Sequence, residues 1–130
     1  MTMPKNMLAL ELEEQAAVVE WWAYACRQYG LDAFDLFHIP NEGTGSRVRG
    51  KIMQKQGLRP GCPDLMLSAP VHPFHGLFLE MKRETKKAVP SAEQRVFHAR
   101  LKERGYAVQV CHGASEARLA IKRYLAGEEK

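Results

Sequence analysis

Apolar residues recur at helical spacing from Leu8 to about Tyr29, at Leu8, Leu12, Ala16, Val19 and Ala23, with Gln15, Val18, Trp22 and Cys26 alongside. This predicts an amphipathic helix, stopped by Gly30. Phe34 to Ile39 reads as a strand ended by Pro40, and Asn41 to Arg59 is a Gly-rich basic loop with room for a short helix at Lys51 to Gln56. Two short runs, Asp64 to Ala69 and Gly76 to Lys82, are separated by Pro70, Pro73 and Gly76, which predicts an antiparallel hairpin. Ser91-Ala92-Glu93-Gln94 then has the S-x-x-Q form of a capping box and opens a helix to about Arg104, with Gly105 as its stop. Tyr106 to Cys111 alternates as a strand, and Ser115 to Leu125 closes the chain as an amphipathic helix. The order α-β-β-β-α-β-α predicts an α/β sandwich around a mixed sheet.

At 130 residues the chain fits a single domain, 1–130, with frayed ends expected at about 1–6 and 127–130. With 45% hydrophobic and 26% charged residues it is neither disordered nor low-complexity. The formal charge of +4 conceals an asymmetry: residues 1–42 hold two basic and seven acidic side chains, while residues 43–130 hold 17 basic and 8 acidic. A basic face opposed by an acidic element makes a polyanion the first partner to consider. Cys26, Cys62 and Cys111 form no C-x-x-C pair, and no apolar leader follows Met1, so reduced thiols in the cytoplasm are expected. Ala16 to Ala25, interrupted by Glu20, is too short to span a membrane.

The chemistry concentrates on the proposed hairpin. Strand alternation puts Phe78, Glu80 and Lys82 on one face and Leu77, Leu79 and Met81 on the other. Pairing the strands brings Asp64, just after Pro63, beside Glu80. A charged pair amid apolar residues is costly to bury unless something compensates it. Glu80 and Lys82 could form a structural ion pair. Alternatively, Asp64 and Glu80 bind a hard divalent cation, with the Met81 carbonyl as a further ligand, and Mg²⁺ suits such oxygens. Lys82 would then position or help deprotonate a metal-bound water for attack on phosphorus and stabilise the charge that develops.

The segment from Gly43 to Pro63 holds Arg47, Arg49, Lys51, Lys55 and Arg59 and no acid. Gly43, Gly45 and Gly50 let its backbone approach a nucleic-acid strand closely. Lys86 and Lys87 could extend this track, and Asn41 either donates to a phosphate or turns the chain. His72, His75, Cys62 and His112 lack the paired spacing of a zinc site, so no zinc is expected. The Trp21-Trp22 pair, on an amphipathic helix, is expected in the core and at a subunit interface.

These pieces together resemble the VRR-NUC family of the PD-(D/E)XK nuclease superfamily, particularly its small stand-alone virus-type and bacterial members. The resemblance runs from about Leu10 to Leu125. It rests on Glu11-Leu12-Glu13-Glu14-Gln15, Ile39-Pro40-Asn41, Gly57-Leu58-Arg59-Pro60-Gly61-Cys62-Pro63-Asp64-Leu65 and Gly76-Leu77-Phe78-Leu79-Glu80-Met81-Lys82-Arg83. It continues through Ser91-Ala92-Glu93-Gln94 and Gly105-Tyr106-Ala107-Val108, with a glycine and a final helix after them. Ala92 departs from the pattern, standing where proline often occurs.

The resemblance implies a restriction-endonuclease-like α-β-β-β-α-β core and a Mg²⁺- or Mn²⁺-dependent DNA endonuclease with Asp64, Glu80 and Lys82 as signature residues. It also implies a glutamate from the first helix. With Leu12, Gln15, Ala16, Val19 and Trp22 as the buried stripe, Glu11 lies nearest its centre and Glu14 is the second choice. Gln94 resembles a family glutamine near the site, where it either contacts a ligand or the scissile phosphate or simply caps its helix. Relatives of this kind act as homodimers on branched DNA such as four-way (Holliday) junctions, in the cytoplasm of a bacterial or phage-infected cell. The alternatives are a nuclease for flaps or single strands and a DNA-binding module of the same fold without catalysis.

Overall fold

The computed structural model describes residues 7–40, 47–84 and 88–129. Among these residues, four helices and four strands follow the predicted order: α1 (Met7–Ala25), β1 (Leu36–His38), α2 (Arg47–Lys55), β2 (Leu65–Leu67), β3 (Leu77–Lys82), α3 (Ala92–Glu103), β4 (Ala107–His112) and α4 (Ala114–Leu125). The strands form one mixed sheet in the order β1-β2-β3-β4. β1 and β2 pair antiparallel, β2 and β3 form the expected antiparallel pair, and β3 and β4 run parallel.

Alternation along β3 divides the molecule into two layers. Leu77, Leu79 and Met81 join Leu65, Leu67, Ala107 and Cys111 in the main core, packed against Val18 and Trp22 of α1 and Ala117, Ile121 and Tyr124 of α4. Each of these leucines is fully buried, a contribution of about 1.5–3 kcal/mol apiece. The opposite face carries Phe78 and Glu80, and there Phe78 meets the Tyr106 ring edge-on. Tyr124 ties the core to the β2–β3 connection, its hydroxyl donating to the Ala69 carbonyl at 2.7 Å and accepting from Val71 N–H at 3.2 Å.

The structure departs from the sequence pattern in α1, before β1 and at the start of α2. α1 is rotated relative to the expected stripe: Val18, Trp22, Ala25 and Cys26 are buried, whereas Leu12 is 50% and Val19 39% exposed. The Trp22 indole fixes this rotation, buried and donating to the Asp32 carbonyl at 3.1 Å. The helix tightens into a 3-10 turn over Cys26–Tyr29 before Gly30, which adopts φ 68°. Ala33–Asp35 is a second 3-10 turn rather than strand, because Asp32 and Asp35 cap it reciprocally. α2 begins at Arg47, earlier than the short helix expected. After α4, Gly127 N–H donates to the Tyr124 carbonyl, Glu128 N–H to the Arg123 carbonyl, and the Gln109 amide to Glu129 at 2.8 Å. The expected fray at 1–6 lies outside the described residues.

Candidate active site

A cleft of about 240 Å³ opens where the start of α1, the loop before β2, β3 and the start of α3 meet. Glu11, Gly61, Cys62, Asp64, Glu80, Lys82, Ser91, Glu93 and Gln94 line it. The sheet fixes its centre. Asp64 N–H donates to the Leu79 carbonyl at 3.0 Å, and its own carbonyl accepts from Ile39 N–H at 2.8 Å, so both neighbouring strands hold it. Asp64 and Leu65 thus both meet Leu79, and the Asp64 side chain lies beside that of Glu80, the next residue of β3, with which it shares a hydrogen bond. The Asp64 carboxylate accepts from Met81 N–H at 2.7 Å. Met81 therefore turns its N–H toward the Asp64 side chain, on the β2 side of the strand.

The loop that delivers Asp64 lies tightly against α3. Gly61 has φ 90°, and a side chain there would come within 2.5 Å of the Glu93 carbonyl oxygen. From α3, Gln94 reaches both strand residues: its Oε1 accepts from Lys82 Nζ at 3.0 Å, and its Nε2 donates to Glu80 Oε2 at 3.2 Å. The same Oε1 accepts from Ser91 N–H at 2.8 Å, and Ser91 Oγ accepts from Gln94 N–H at 3.2 Å. Gln94 thus both closes a capping box and enters the cleft. Lys82 Nζ is also 3.9 Å from Glu80 Oε2.

Glu80 is only 3% exposed. Burial first, then the negative charge of Asp64 and a hydrogen bond shared with it, push the Glu80 carboxyl up to about 9; Lys82 opposes this and Glu11 adds to it. The second Glu80 oxygen, Oε1, is buried without a hydrogen-bond partner. Two crowded carboxyl groups with an unsatisfied buried oxygen make a setting that a hard cation relieves. Among the described residues no three His, Cys, Asp or Glu side chains form a ready cage. The oxygen donors at hand are the Asp64 and Glu80 carboxylates, and a hard cation that keeps most of its water, such as Mg²⁺, suits so small a set. The residues fit such an ion.

The two candidate glutamates of α1 separate clearly. Glu11 lines the cleft. Glu14 instead accepts from Ala114 N–H and so caps the start of α4. Of the basic residues, Lys51 and Lys55 are exposed on α2. Arg59 is turned back, its Nη1 donating to the Gln54 and Leu58 carbonyls at 3.1 and 3.2 Å. Arg47 and Arg49 belong to α2 by backbone, but their side chains, with Asn41, Lys86 and Lys87, lie outside the described residues. Trp22 is in the core as expected, and Trp21 packs on it beneath Lys122, whose Nζ is 5.8 Å from the ring.

Sequence reasoning missed His98. It is 6% exposed, and its Nε2 lies 3.5 Å from Glu80 Oε1. Burial, followed by Lys102 and Lys82, lowers its pKa, against a smaller opposing effect of Asp64. The available signal was its place four residues after Gln94, on the same helix face.

A mixed sheet thus brings an Asp, a Glu-x-Lys strand and a helix-borne Glu and Gln to one cleft of an α/β domain. The chain belongs to the VRR-NUC family: the VRR-NUC domain model matches residues 10–115. Its fold is similar to the solved structure of a VRR-NUC domain protein, with a TM-score of 0.75 at 21% sequence identity, covering 89% of this chain and 88% of that one. No curated protein matches the chain. A nuclease-type, DNA-processing function follows from the family. Among the described residues no helix is long and apolar enough to cross a membrane.

Proposed function

We propose that this chain is a divalent-metal-dependent DNA endonuclease in which Asp64 and Glu80, with the Met81 carbonyl, hold Mg²⁺ or Mn²⁺. The observation that carries this reading is the pair of neighbouring carboxyl groups, Asp64 just before β2 and Glu80 on β3, in a cleft that also holds Lys82. When bound, the cation supplies Lewis acidity toward the phosphate and lowers the pKa of water. Hydrolysis joins a water oxygen to phosphorus as the ester P–O bond breaks, and the leaving oxygen gains a proton. Lys82, steadied by Gln94, faces the reacting phosphate and offsets the charge gathering on its oxygens. Glu11, across the cleft, orients water. The exposed lysines of α2 contact phosphates away from the scissile bond.

A homodimer related by a two-fold axis presents two such clefts to opposite strands of branched DNA, such as a four-way junction. The test is a cleavage panel of duplex, nicked, flap, single-stranded and four-way DNA with Mg²⁺ and Mn²⁺, beside Glu80→Ala and Lys82→Ala, with mass in solution measured by sedimentation. Metal-dependent products should disappear in both variants while Lys82→Ala still binds DNA. No product on any substrate overturns the enzyme reading. A dimer that cuts flaps and single strands but leaves junctions intact overturns the junction assignment alone.

A further inference from the structure

Glu80 is approached from α3 by two side chains one helical turn apart. Gln94 satisfies one of its oxygens, Oε2, together with the Lys82 ammonium. His98 faces the other. Its Nε2 is 3.5 Å from Glu80 Oε1, and both atoms are buried with no hydrogen-bond partner. A buried polar atom left in this state loses its hydration with nothing in return. Closing the gap by a few tenths of an ångström gives an ordinary N–H···O bond and satisfies both atoms at once.

We propose that His98 is a positioning residue for Glu80: with its proton on Nε2 it donates to Oε1 and, together with Gln94, fixes the rotation of the Glu80 carboxylate. The lone pairs left over then point toward Asp64 and the cation. The inference rests on the reading of the cleft as a divalent-cation site. His98 touches neither substrate nor metal; its effect is on how well Glu80 is oriented to ligate. Partners of this kind are worth roughly 10–100-fold in metal affinity.

The measurement is Mn²⁺ binding without DNA, followed by the electron paramagnetic resonance of the free ion, on wild type, His98→Leu, His98→Phe and His98→Gln, each checked by thermal melting. Leu and Phe fill the space without a donor and remove a buried unsatisfied nitrogen, so neither is expected to melt earlier for lack of packing alone. Both should bind Mn²⁺ at least tenfold more weakly. His98→Gln, which restores an N–H at similar reach, should recover most of the loss. A merely structural histidine would not rank Gln above Leu. Wild-type affinity in Leu or Phe, or a Gln variant as weak as they are, overturns the role of His98. Failure of the wild type itself to bind Mn²⁺ overturns the cation site and the inference with it, and is distinguished by its independence of residue 98.

Discussion

Gln94 shows how one side chain can serve fold and chemistry, because its carbonyl oxygen accepts from both Ser91 N–H and Lys82 Nζ while its amide holds Glu80. Substitution separates the roles. Ser91→Ala removes only the hydroxyl half of the capping box and should cost about 1 kcal/mol of stability, read by denaturant unfolding, with cleavage unchanged per folded molecule. Gln94→Ala should cost a similar amount and in addition lower kcat, since Lys82 and Glu80 lose their common anchor. Equal activity in the two variants would assign Gln94 to the cap alone. Glu80 carries a prediction about pH. Its carboxyl ionises near 4.5 in an open chain but near 9 in the fold, chiefly because it is buried beside Asp64. Between those values the folded, metal-free protein keeps a proton that the unfolded chain has released. Its stabilising contribution is therefore complete below about pH 4.5 and is lost as pH rises through about 9, at up to about 1.4 kcal/mol per pH unit. Thermal melts in chelator should fall across this window. Glu80→Gln, neutral throughout, should flatten that fall.

At the scale of elements, α1 carries two glutamates three residues apart that do different work. Glu14 caps α4 across a separation of 100 residues, and Glu11 lines the cleft. Glu14→Ala should therefore destabilise by about 1 kcal/mol and leave turnover by the folded fraction intact, whereas Glu11→Gln should melt like wild type and lose cleavage. The reverse pattern would exchange their assignments. The sequence made the choice of Glu11 legible by an imperfect route. Apolar residues occupy more than one face of α1, so periodicity identified the helix but not which side meets the sheet. That side was decided by the burial of Trp22 and its bond to Asp32, a contact between segments that no spacing encodes. Strand boundaries failed for a local reason at β1, where Asp32 and Asp35 close a turn that the apolar pattern of Phe34 to Ile39 hides. Asp64, Glu80, Lys82 and Gln94 were readable because strand alternation and capping are local rules, and the structure brings all four to one cleft. His98 was harder to read, since its place one helical turn after Gln94 was its one signal and a lone histidine on a helix does not reveal the carboxylate opposite it.

Across the whole molecule, charge and the cleft stand in opposition. The cleft is lined by Glu11, Asp64, Glu80 and Glu93 against the ammonium of Lys82, while residues 43–130 carry the excess of basic side chains. A phosphate backbone entering so acidic a cleft is repelled unless a cation sits there and basic side chains hold the strand on either side. Binding and metal dependence should therefore be separable. Lys51→Ala and Lys55→Ala remove exposed charges of α2 and should weaken binding evenly across sequences, in the presence or absence of Mg²⁺. For every phosphate that a substitution leaves unneutralised, the slope of log K against log salt should become shallower by about 0.9. Arg59→Ala should behave differently. Its guanidinium is engaged with the Gln54 and Leu58 carbonyls at the end of α2, so its removal should lower stability more than it changes the salt slope. Fluorescence anisotropy of a labelled duplex over a salt series measures all three. Unchanged slopes in both lysine variants would remove α2 from the DNA-binding surface, and an Arg59→Ala slope reduced like that of a lysine would return Arg59 to it.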